Sequence, residues 1–121
     1  MTTRQTYEFD QLKIDLVRRE VTQCGNVVCL PPIEYKLLTL LARHAGKVLT
    51  HKQILESVWG YKRETMAHHI RVHLAELRKK IEVDPARPKH IVTVPGVGYR
   101  LLNGNHAQSI GLAALQYVNG A

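Results

Sequence analysis

Short apolar segments alternate with polar residues over the first thirty positions of the chain. The apolar positions are Phe9, Leu12, Ile14, Leu16, Val21 and 27–30. The interruptions are Asp10, Arg18-Arg19 and Gly25-Asn26. A period of two is typical of strands with one buried face, and polar or glycine-containing breaks are typical of turns. The pattern predicts a small antiparallel sheet of three or four strands from Tyr7 to Leu30.

Two helices are predicted after this sheet. Proline is tolerated in the first turn of a helix, so the pair at 31–32 ends the sheet and begins a helix. Apolar residues then recur at helical spacing, and Gly46 is expected as the C-cap. Thr50 and Gln53 form a capping box, which predicts a second helix that ends at Gly60.

A third helix, over residues 63–82, is predicted to have one apolar face. Its apolar residues are Met66, Ile70, Leu74, Leu77 and Ile81. Their steps of four, four, three and four place them within about 80° of one another, so we expect this face to be buried. The remaining surface carries His68, Arg71, Val72, Ala75, Arg78 and Lys79 on one flank and His69, His73, Glu76 and Lys80 on the other.

A β-hairpin is predicted over residues 89–102. HIVTV and YRLL have strand character, and the PGVG between them contains the glycine of a turn. The globular domain is therefore expected to span 7–102. Residues 1–6 are expected to be flexible. Residues 103–121 are expected to form a poorly ordered tail, because their one apolar patch is too short to hold a helix alone in water.

The positive net charge of the chain indicates which kinds of molecule it could bind. Seventeen Lys and Arg against ten Asp and Glu give a formal net charge of +7 and a pI near 9.7. Such a charge favours polyanions, with nucleic acid first, and a basic protein without an anionic partner is the alternative. No apolar run is long enough for a membrane span, and the first ten residues lack the apolar core of a signal peptide. We therefore expect a cytoplasmic protein with no membrane partner.

The two cysteines are not expected to form a disulfide. A turn at 25–26 would pair Cys24 with Val27. Cys29 would then pair with Thr22, which leaves the two sulfurs diagonal across the strands, a poor geometry for a disulfide. We therefore expect two half-buried, reduced thiols.

Three residues on one flank of the third helix resemble part of a metal site. His69, His73 and Glu76 lie on the same side at helical spacing. The spacing is common by chance, and the sequence has no HExxH, no CxxC and no evident fourth ligand, so we expect no metal and no cofactor. Catalysis would need a nucleophile or paired carboxylates beside a histidine. The acids flank basic residues on predicted helix surfaces, as Glu76 and Glu82 do, so we expect no enzymatic activity.

The exposed face of the third helix fits a helix that lies in the major groove of DNA. Val72 and Ala75 are at its outermost angle, where small residues let the backbone approach base edges and can contact a thymine methyl. Arg71, Arg78 and Lys79 flank them as cationic arms for phosphates. The alternative is a solvated basic face with no partner, and composition alone leaves both open.

The order of the elements and several stretches resemble a known family. A sheet, three helices and a C-terminal hairpin form the order of a winged-helix domain, of the α+β class. The resemblance to OmpR/PhoB effector domains of two-component response regulators rests on LPPIEYKLLTLLARHAGKVLTHKQILESVWG, HIRVHLAELRKKIE and DPARPKHIVTVPGVGYRL. ARHAGKVLT and DPARPKHI resemble the KdpE subgroup. The resemblance covers roughly 7–102 and implies a transcriptional regulator that binds promoter DNA at direct repeats, with helix 63–82 in the major groove and hairpin 89–102 as a wing on the minor groove.

The resemblance implies DNA contacts at individual positions. The family's phosphate contacts fall on Trp59, His73 and Tyr99, the last at the base of the wing. Arg78 matches a family arginine that reaches into the major groove. Glu76 stands where some members carry a base-reading arginine, and a carboxylate there can accept from a cytosine amino group. The preferred base sequence should differ accordingly.

Other positions depart from the family pattern. His68 and His69 occupy places where members often have Arg and Thr, so their contacts should be weaker. Pro95 replaces an arginine that often begins the wing turn, which leaves Thr93 among the possible wing contacts. Pro31 replaces an N-capping threonine, which should cost the first helix about 1 kcal/mol.

The loop between the second and third helices offers an alternative function. The family also uses this loop to contact protein partners such as RNA polymerase, and here it contains Gly60, Tyr61, Lys62, Arg63 and Glu64. The resemblance further implies a receiver domain and a sensor kinase as partners if the chain is the effector part of a longer regulator, with a free-standing binding protein as the alternative. Any dimer is expected to be weak or to form on DNA.

Overall fold

The first thirty residues form the predicted antiparallel sheet, with four strands. The computed structural model describes residues 6–60 and 67–102. The strands, which are neighbours in chain order, are β1 (Thr6–Phe9), β2 (Leu12–Asp15), β3 (Glu20–Gln23) and β4 (Asn26–Val28). Tyr7, Ile14, Val21 and Val28 lie opposite one another across the sheet. The sheet therefore presents one apolar row to the core, as its period of two predicts.

The last turn of this sheet differs from the prediction. Gln23 pairs with Asn26, so the turn residues are 24–25 and the predicted turn at 25–26 is wrong. Cys24 and Gly25 have φ of 53° and 84°. Two positive φ values are those of a type I′ hairpin turn, which suits the strand twist and favours glycine in its second position. Both cysteines are exposed, so the prediction of half-buried thiols is also wrong.

The first helix, α1 (Pro32–Arg43), begins where the proline pair predicts. Pro31 is its N-cap and makes no side-chain capping hydrogen bond, as expected from the loss of a capping threonine. The predicted C-cap is wrong, because the helix ends at Arg43 and His44 is its C-cap. Gly46 instead turns the chain with φ of 88° and donates its N–H to the carbonyl of Leu101 at 2.8 Å.

The second helix has the predicted capping box at its start. In α2 (His51–Ile54), the Gln53 N–H donates to Thr50 Oγ1 at 3.1 Å, and the Thr50 N–H donates to Gln53 Oε1 at 2.8 Å. A π-helical turn, Leu55–Trp59, continues the helix. It ends at Gly60, with φ of 84°, as predicted.

The third helix, α3 (Ala67–Ile81), packs its apolar face into the core. Ile70, Leu74, Leu77 and Ile81 have no exposed surface, which confirms the predicted face over these positions. The part of the predicted helix at 63–66, Met66 included, lies outside the described residues.

The C-terminal hairpin consists of β6 (Ile91–Val94) and β7 (Gly98–Leu101) joined by a turn at 95–97. A short strand that the sequence pattern did not predict, β5 (Leu49–Thr50), pairs with β7 and makes the sheet order β5-β7-β6. Gly98 is required here, because a Cβ at this position would overlap the Leu49 carbonyl oxygen. Sheet, helices and hairpin together form the predicted winged helix.

β1 already begins at Thr6, one residue earlier than expected. The expected flexible residues 1–5 and the expected tail 103–121 lie outside the described ranges. Within those ranges, no helix combines the length and the apolar character needed to cross a membrane.

Candidate nucleic-acid interface

The outer face of α3 is open to solvent. Because four apolar residues anchor the opposite face in the core, the side chains between them point outward. The exposed residues are His68, Arg71, Val72, Ala75, Glu76 and Lys79. Val72, with 56% of its surface exposed, shares this face with Ala75 and with the longer basic side chains of Arg71 and Lys79. The face therefore combines small side chains, which let a helix backbone approach a groove closely, with long basic side chains.

Aromatic rings join the end of the second helix to the start of α3. The Trp59 ring centroid lies 5.4 Å from that of His73 and 6.5 Å from that of His69. His73 Nδ1 is 2.8 Å from the His69 carbonyl oxygen, and the rings of His68 and His69 meet edge to face at 4.3 Å. Trp59, His69 and His73 are half-buried, so this cluster fixes the approach of the two helices and leaves His68 as its exposed member.

Arg78 lies against the hairpin. Its Nε and Nη2 donate to the carbonyl of Ile91 at 3.1 and 3.0 Å, and Nη2 also donates to Thr93 Oγ1 at 3.0 Å. The guanidinium carbon is 5.8 Å from the centroid of the Tyr99 ring. Arg78 therefore bridges α3 and the wing at the edge of the exposed face.

The base of the wing is mostly buried. Tyr99 is 4% exposed and meets the His51 ring edge to face at 5.6 Å. The His51 N–H donates to the Val97 carbonyl at 3.3 Å, which ties the wing turn to the start of α2. Thr93, on β6, is exposed. The two predicted wing contacts thus differ in access, with Thr93 open and Tyr99 enclosed.

Two acids near the site have different surroundings. Glu76 is exposed and its carboxylate lies 3.1 Å from Lys79 Nζ. Glu82 is 6% exposed, so its predicted place on a helix surface is wrong. Its carboxylate accepts the N–H groups of Lys89, His90 and Ile91 at 2.8 to 3.1 Å. Burial is possible because these backbone donors replace the water that an ionised carboxylate would otherwise bind.

A second buried acid, Glu34, forms an ion pair with Lys80 of α3. Lys80 Nζ lies 2.7 Å from Oε1 of Glu34, which is in the first turn of α1 and 4% exposed. Glu34 and Glu82 were not predicted to matter for the site. Their partners are distant in the chain or are backbone groups, so no local pattern could have indicated them.

The loop after the second helix and the possible metal ligands are the remaining candidate positions. Gly60 is exposed, and 61–64 of the loop lie outside the described residues. Within the described part of the chain, no group of three or more His, Cys, Asp or Glu residues is arranged to hold a metal ion. His69 and His73 lie near Trp59, and Glu76 lies near Lys79.

The family model described as "Transcriptional regulatory protein, C terminal" matches residues 25–101. The chain belongs to this family, the OmpR/PhoB effector domains. The family is one of DNA-binding effector domains of transcriptional regulators, the class expected from the motifs of this chain.

Named relatives include two KdpE proteins. The KDP operon transcriptional regulatory protein KdpE of Escherichia coli K12 is 42% identical over 95 residues, which are 78% of this chain and 42% of that protein. The transcriptional regulatory protein KdpE of Mycobacterium tuberculosis is 43% identical over 93 residues, which are 77% of this chain and 41% of that protein. The chain thus spans about two fifths of the length of these relatives.

Solved structures of the family have the same fold. The RstA DNA-binding domain of Klebsiella pneumoniae, in complex with RstA box, has a TM-score of 0.76 and 31% identity, and the match covers 83% of this chain and 99% of that one. The response regulator DrrB of Thermotoga maritima has a TM-score of 0.76 and 36% identity over 83% of this chain and 45% of that one.

In this OmpR/PhoB domain, the helix and the wing form one continuous surface. The exposed residues of α3 lead through Arg78 to Thr93 on β6. The anchoring side chains come from α1, from the second helix and from the wing itself. The surface is therefore built by the tertiary fold, although most of its members lie on one helix.

Proposed function

We propose that this chain binds promoter DNA at direct repeats, with α3 in the major groove and the β6–β7 wing against the neighbouring minor groove. The observation that most directly supports this is the outer face of α3, where Val72 and Ala75 are exposed beside Arg71 and Lys79. Small residues permit close approach to base edges, and the long basic side chains can reach phosphates. The RstA domain, whose solved structure is a complex with RstA box, has the same fold.

The proposed contacts divide into phosphate contacts and base contacts. Phosphates are proposed to meet Arg71, Lys79, His68, His69, His73, Trp59, Tyr99 and Thr93. Tyr99 is 4% exposed, so it would contribute few atoms. Base edges are proposed to meet Val72, Ala75 and Glu76. Val72 and Ala75 could contact a thymine methyl. The Glu76 carboxylate could accept from a cytosine amino group after its exposed ion pair with Lys79 breaks.

The sharpest test compares two exposed valines. Val72, at 56% exposure, lies on the proposed interface, and Val17, at 67%, lies in the turn between β2 and β3. Val72→Asp should lower affinity for DNA at least roughly tenfold, because it places a carboxylate beside phosphates. Val17→Asp should leave affinity unchanged, and both variants should keep the wild-type unfolding midpoint. Equal affinities for the two variants would refute the proposed interface.

A salt titration tests the electrostatic part of the same proposal. Each phosphate contact should contribute about −0.9 to the slope of log K against log salt on duplex DNA. A slope equivalent to several contacts is expected, and a flat response would count against the proposal. Selection of bound fragments from random duplexes would then identify the repeat and its spacing.

We extend the proposal to partners on the strength of the family resemblance. The domain would act in the cytoplasm as the effector part of a longer regulator, whose receiver domain a sensor kinase phosphorylates. Two copies would pair weakly or only on DNA. Sedimentation velocity with and without a duplex that carries two repeats tests this, because a stable dimer in the absence of DNA would contradict it.

The alternative function is contact with RNA polymerase through the loop at 60–65. Gly60, the described residue of this loop, is exposed and ends the second helix in the left-handed conformation. A DNA-binding domain can also make such a contact. The two functions are separated by measuring how much RNA polymerase the Tyr61→Ala and Arg63→Ala variants capture while they still bind DNA normally. Capture equal to that of the wild type would exclude the loop as the polymerase contact.

A further inference from the structure

Arg78, in the last turn of α3, and Glu82, directly after the helix, bond to both backbone polar groups of one wing residue. The Ile91 N–H donates to Glu82 Oε2 at 2.9 Å. The Ile91 carbonyl accepts from Nε and Nη2 of Arg78 at 3.1 and 3.0 Å. Arg78 and Glu82 are four positions apart, so one turn of helix separates the donor and the acceptor. We call these two side chains, with their bonds to 89–93, the helix–wing clamp.

The clamp occupies the free edge of the wing sheet. In the order β5-β7-β6, strand β6 is at the edge and pairs with β7 on one side. In an antiparallel pair, the N–H and C=O of one residue point to the same side of the strand. The His90 carbonyl accepts from the Leu102 N–H on the β7 side, while both groups of Ile91 bond to the side chains of Arg78 and Glu82. Arg78 and Glu82 thus take the place of a further strand beside β6.

The clamp extends in both directions from Ile91. The Glu82 carboxylate also accepts the N–H groups of Lys89 and His90 at 2.8 and 3.0 Å. Arg78 Nη2 also donates to Thr93 Oγ1 at 3.0 Å. The bonded residues lie within 89–93 and include the exposed residue Thr93. Arg78 and Glu82 therefore bond to four of the five residues 89–93, namely Lys89, His90, Ile91 and Thr93.

We infer that Arg78 and Glu82 are positioning residues, which set the angle of the wing to α3 so that helix and wing meet DNA as one rigid unit. This inference rests on the proposed DNA binding. An Arg78 that swung out to read a base would release the Ile91 carbonyl and the Thr93 hydroxyl together. The geometry assigns Arg78 to the junction, and sequence preference then depends on residues of the outer face such as Val72.

The first test needs no DNA. Amide hydrogen exchange of the whole chain, followed by NMR, would compare Glu82→Gln and Arg78→Lys with wild type. Glu82→Gln should raise exchange of the Ile91 and His90 amides roughly tenfold, the factor that corresponds to one lost charge-assisted hydrogen bond. Arg78→Lys should raise the exchange rate of the Ile91 amide by a smaller factor, because Arg78 bonds to the Ile91 carbonyl and not to its N–H.

Controls for this test lie on the same helix and in the same sheet. Glu76→Gln and Arg71→Lys change exposed side chains of the same type and should leave these amides unchanged. The Tyr99 amide, on β7, reports general opening of the sheet. Exchange that is unchanged in the clamp variants, or that rises equally at Tyr99, would overturn the clamp. If Glu82→Gln does not fold, the exchange rates of the Ile91 and Tyr99 amides are compared in Arg78→Lys and Arg78→Gln instead.

The second test uses duplex DNA and hydroxyl-radical footprints. Arg78→Lys keeps the charge, so it should lose protection on the minor-groove flank under the wing and keep both protection and base preference under α3. Altered base preference under α3 with an intact wing footprint would show that Arg78 reads bases and would overturn the inference. If wild type does not bind DNA, the proposed function fails, whereas exchange still decides whether the clamp exists.

Discussion

The ion pair between α1 and α3 gives a quantitative prediction about stability. Lys80→Met removes the ammonium and keeps a side chain of similar length. In the wild-type protein, Lys80 Nζ lies 2.7 Å from Glu34 Oε1, and the Glu34 side chain is 6% exposed. The substitution therefore leaves a carboxylate in the core interface without the cation that faces it.

The expected size of the effect follows from the exposure of the two partners. Removing one member of a buried pair costs about 3–5 kcal/mol, and removing one member of an exposed pair costs about 0–1 kcal/mol. The Lys80 side chain is 33% exposed, so water screens part of the interaction. We expect Lys80→Met to lower the free energy of unfolding by about 2 kcal/mol. The midpoint of thermal unfolding should fall by roughly 8–16 °C.

Lys79→Met is the matched control, because the neighbouring lysine pairs with Glu76 at 3.1 Å on the open surface, where the two side chains are 65% and 48% exposed. It should cost less than about 0.5 kcal/mol. Circular dichroism during thermal and urea unfolding measures both variants. A double variant, Glu34→Met with Lys80→Met, should recover most of the loss, because it leaves no charge without a partner. Equal midpoints for Lys80→Met and Lys79→Met would refute the reasoning.

Three further predictions concern the wing, the second helix and DNA binding. Gly98→Ala should lower the free energy of unfolding by more than about 2 kcal/mol, because a Cβ at this position overlaps the Leu49 carbonyl of β5. Gly96→Ala should cost about 1 kcal/mol, because a Cβ there meets open space and only the φ of 77° is unfavourable. Urea unfolding midpoints would distinguish the two variants. Thr50→Ala should lose about 1 kcal/mol through its capping box, and an unchanged melting temperature would contradict this. Lys79→Gln should weaken specific and random duplexes alike and lower the salt slope by about one, while Lys13→Gln, on the first sheet, should change neither.

The sequence by itself determined the elements whose signals are local. The apolar stripe of α3 repeats at the helical period, and Ile70, Leu74, Leu77 and Ile81 are all fully buried. Thr50 and Gln53 are three residues apart, so their capping box can be recognised from type and spacing alone. The two hairpin strands flank a glycine turn. Each of these signals depends on neighbours that secondary structure brings together at a fixed distance, so it could be predicted before the fold was known.

Only the tertiary structure decided what the polar residues of α3 contact. Arg78 and Arg71 are equivalent in the sequence pattern, yet Arg78 bonds to β6 and Arg71 is exposed. Glu82 is buried by backbone amides of the wing, and Glu34 meets a lysine 46 positions away. A charged side chain is exposed or buried according to the partners that the folded chain places beside it. Such partners come from other elements, so the spacing along one helix does not specify them.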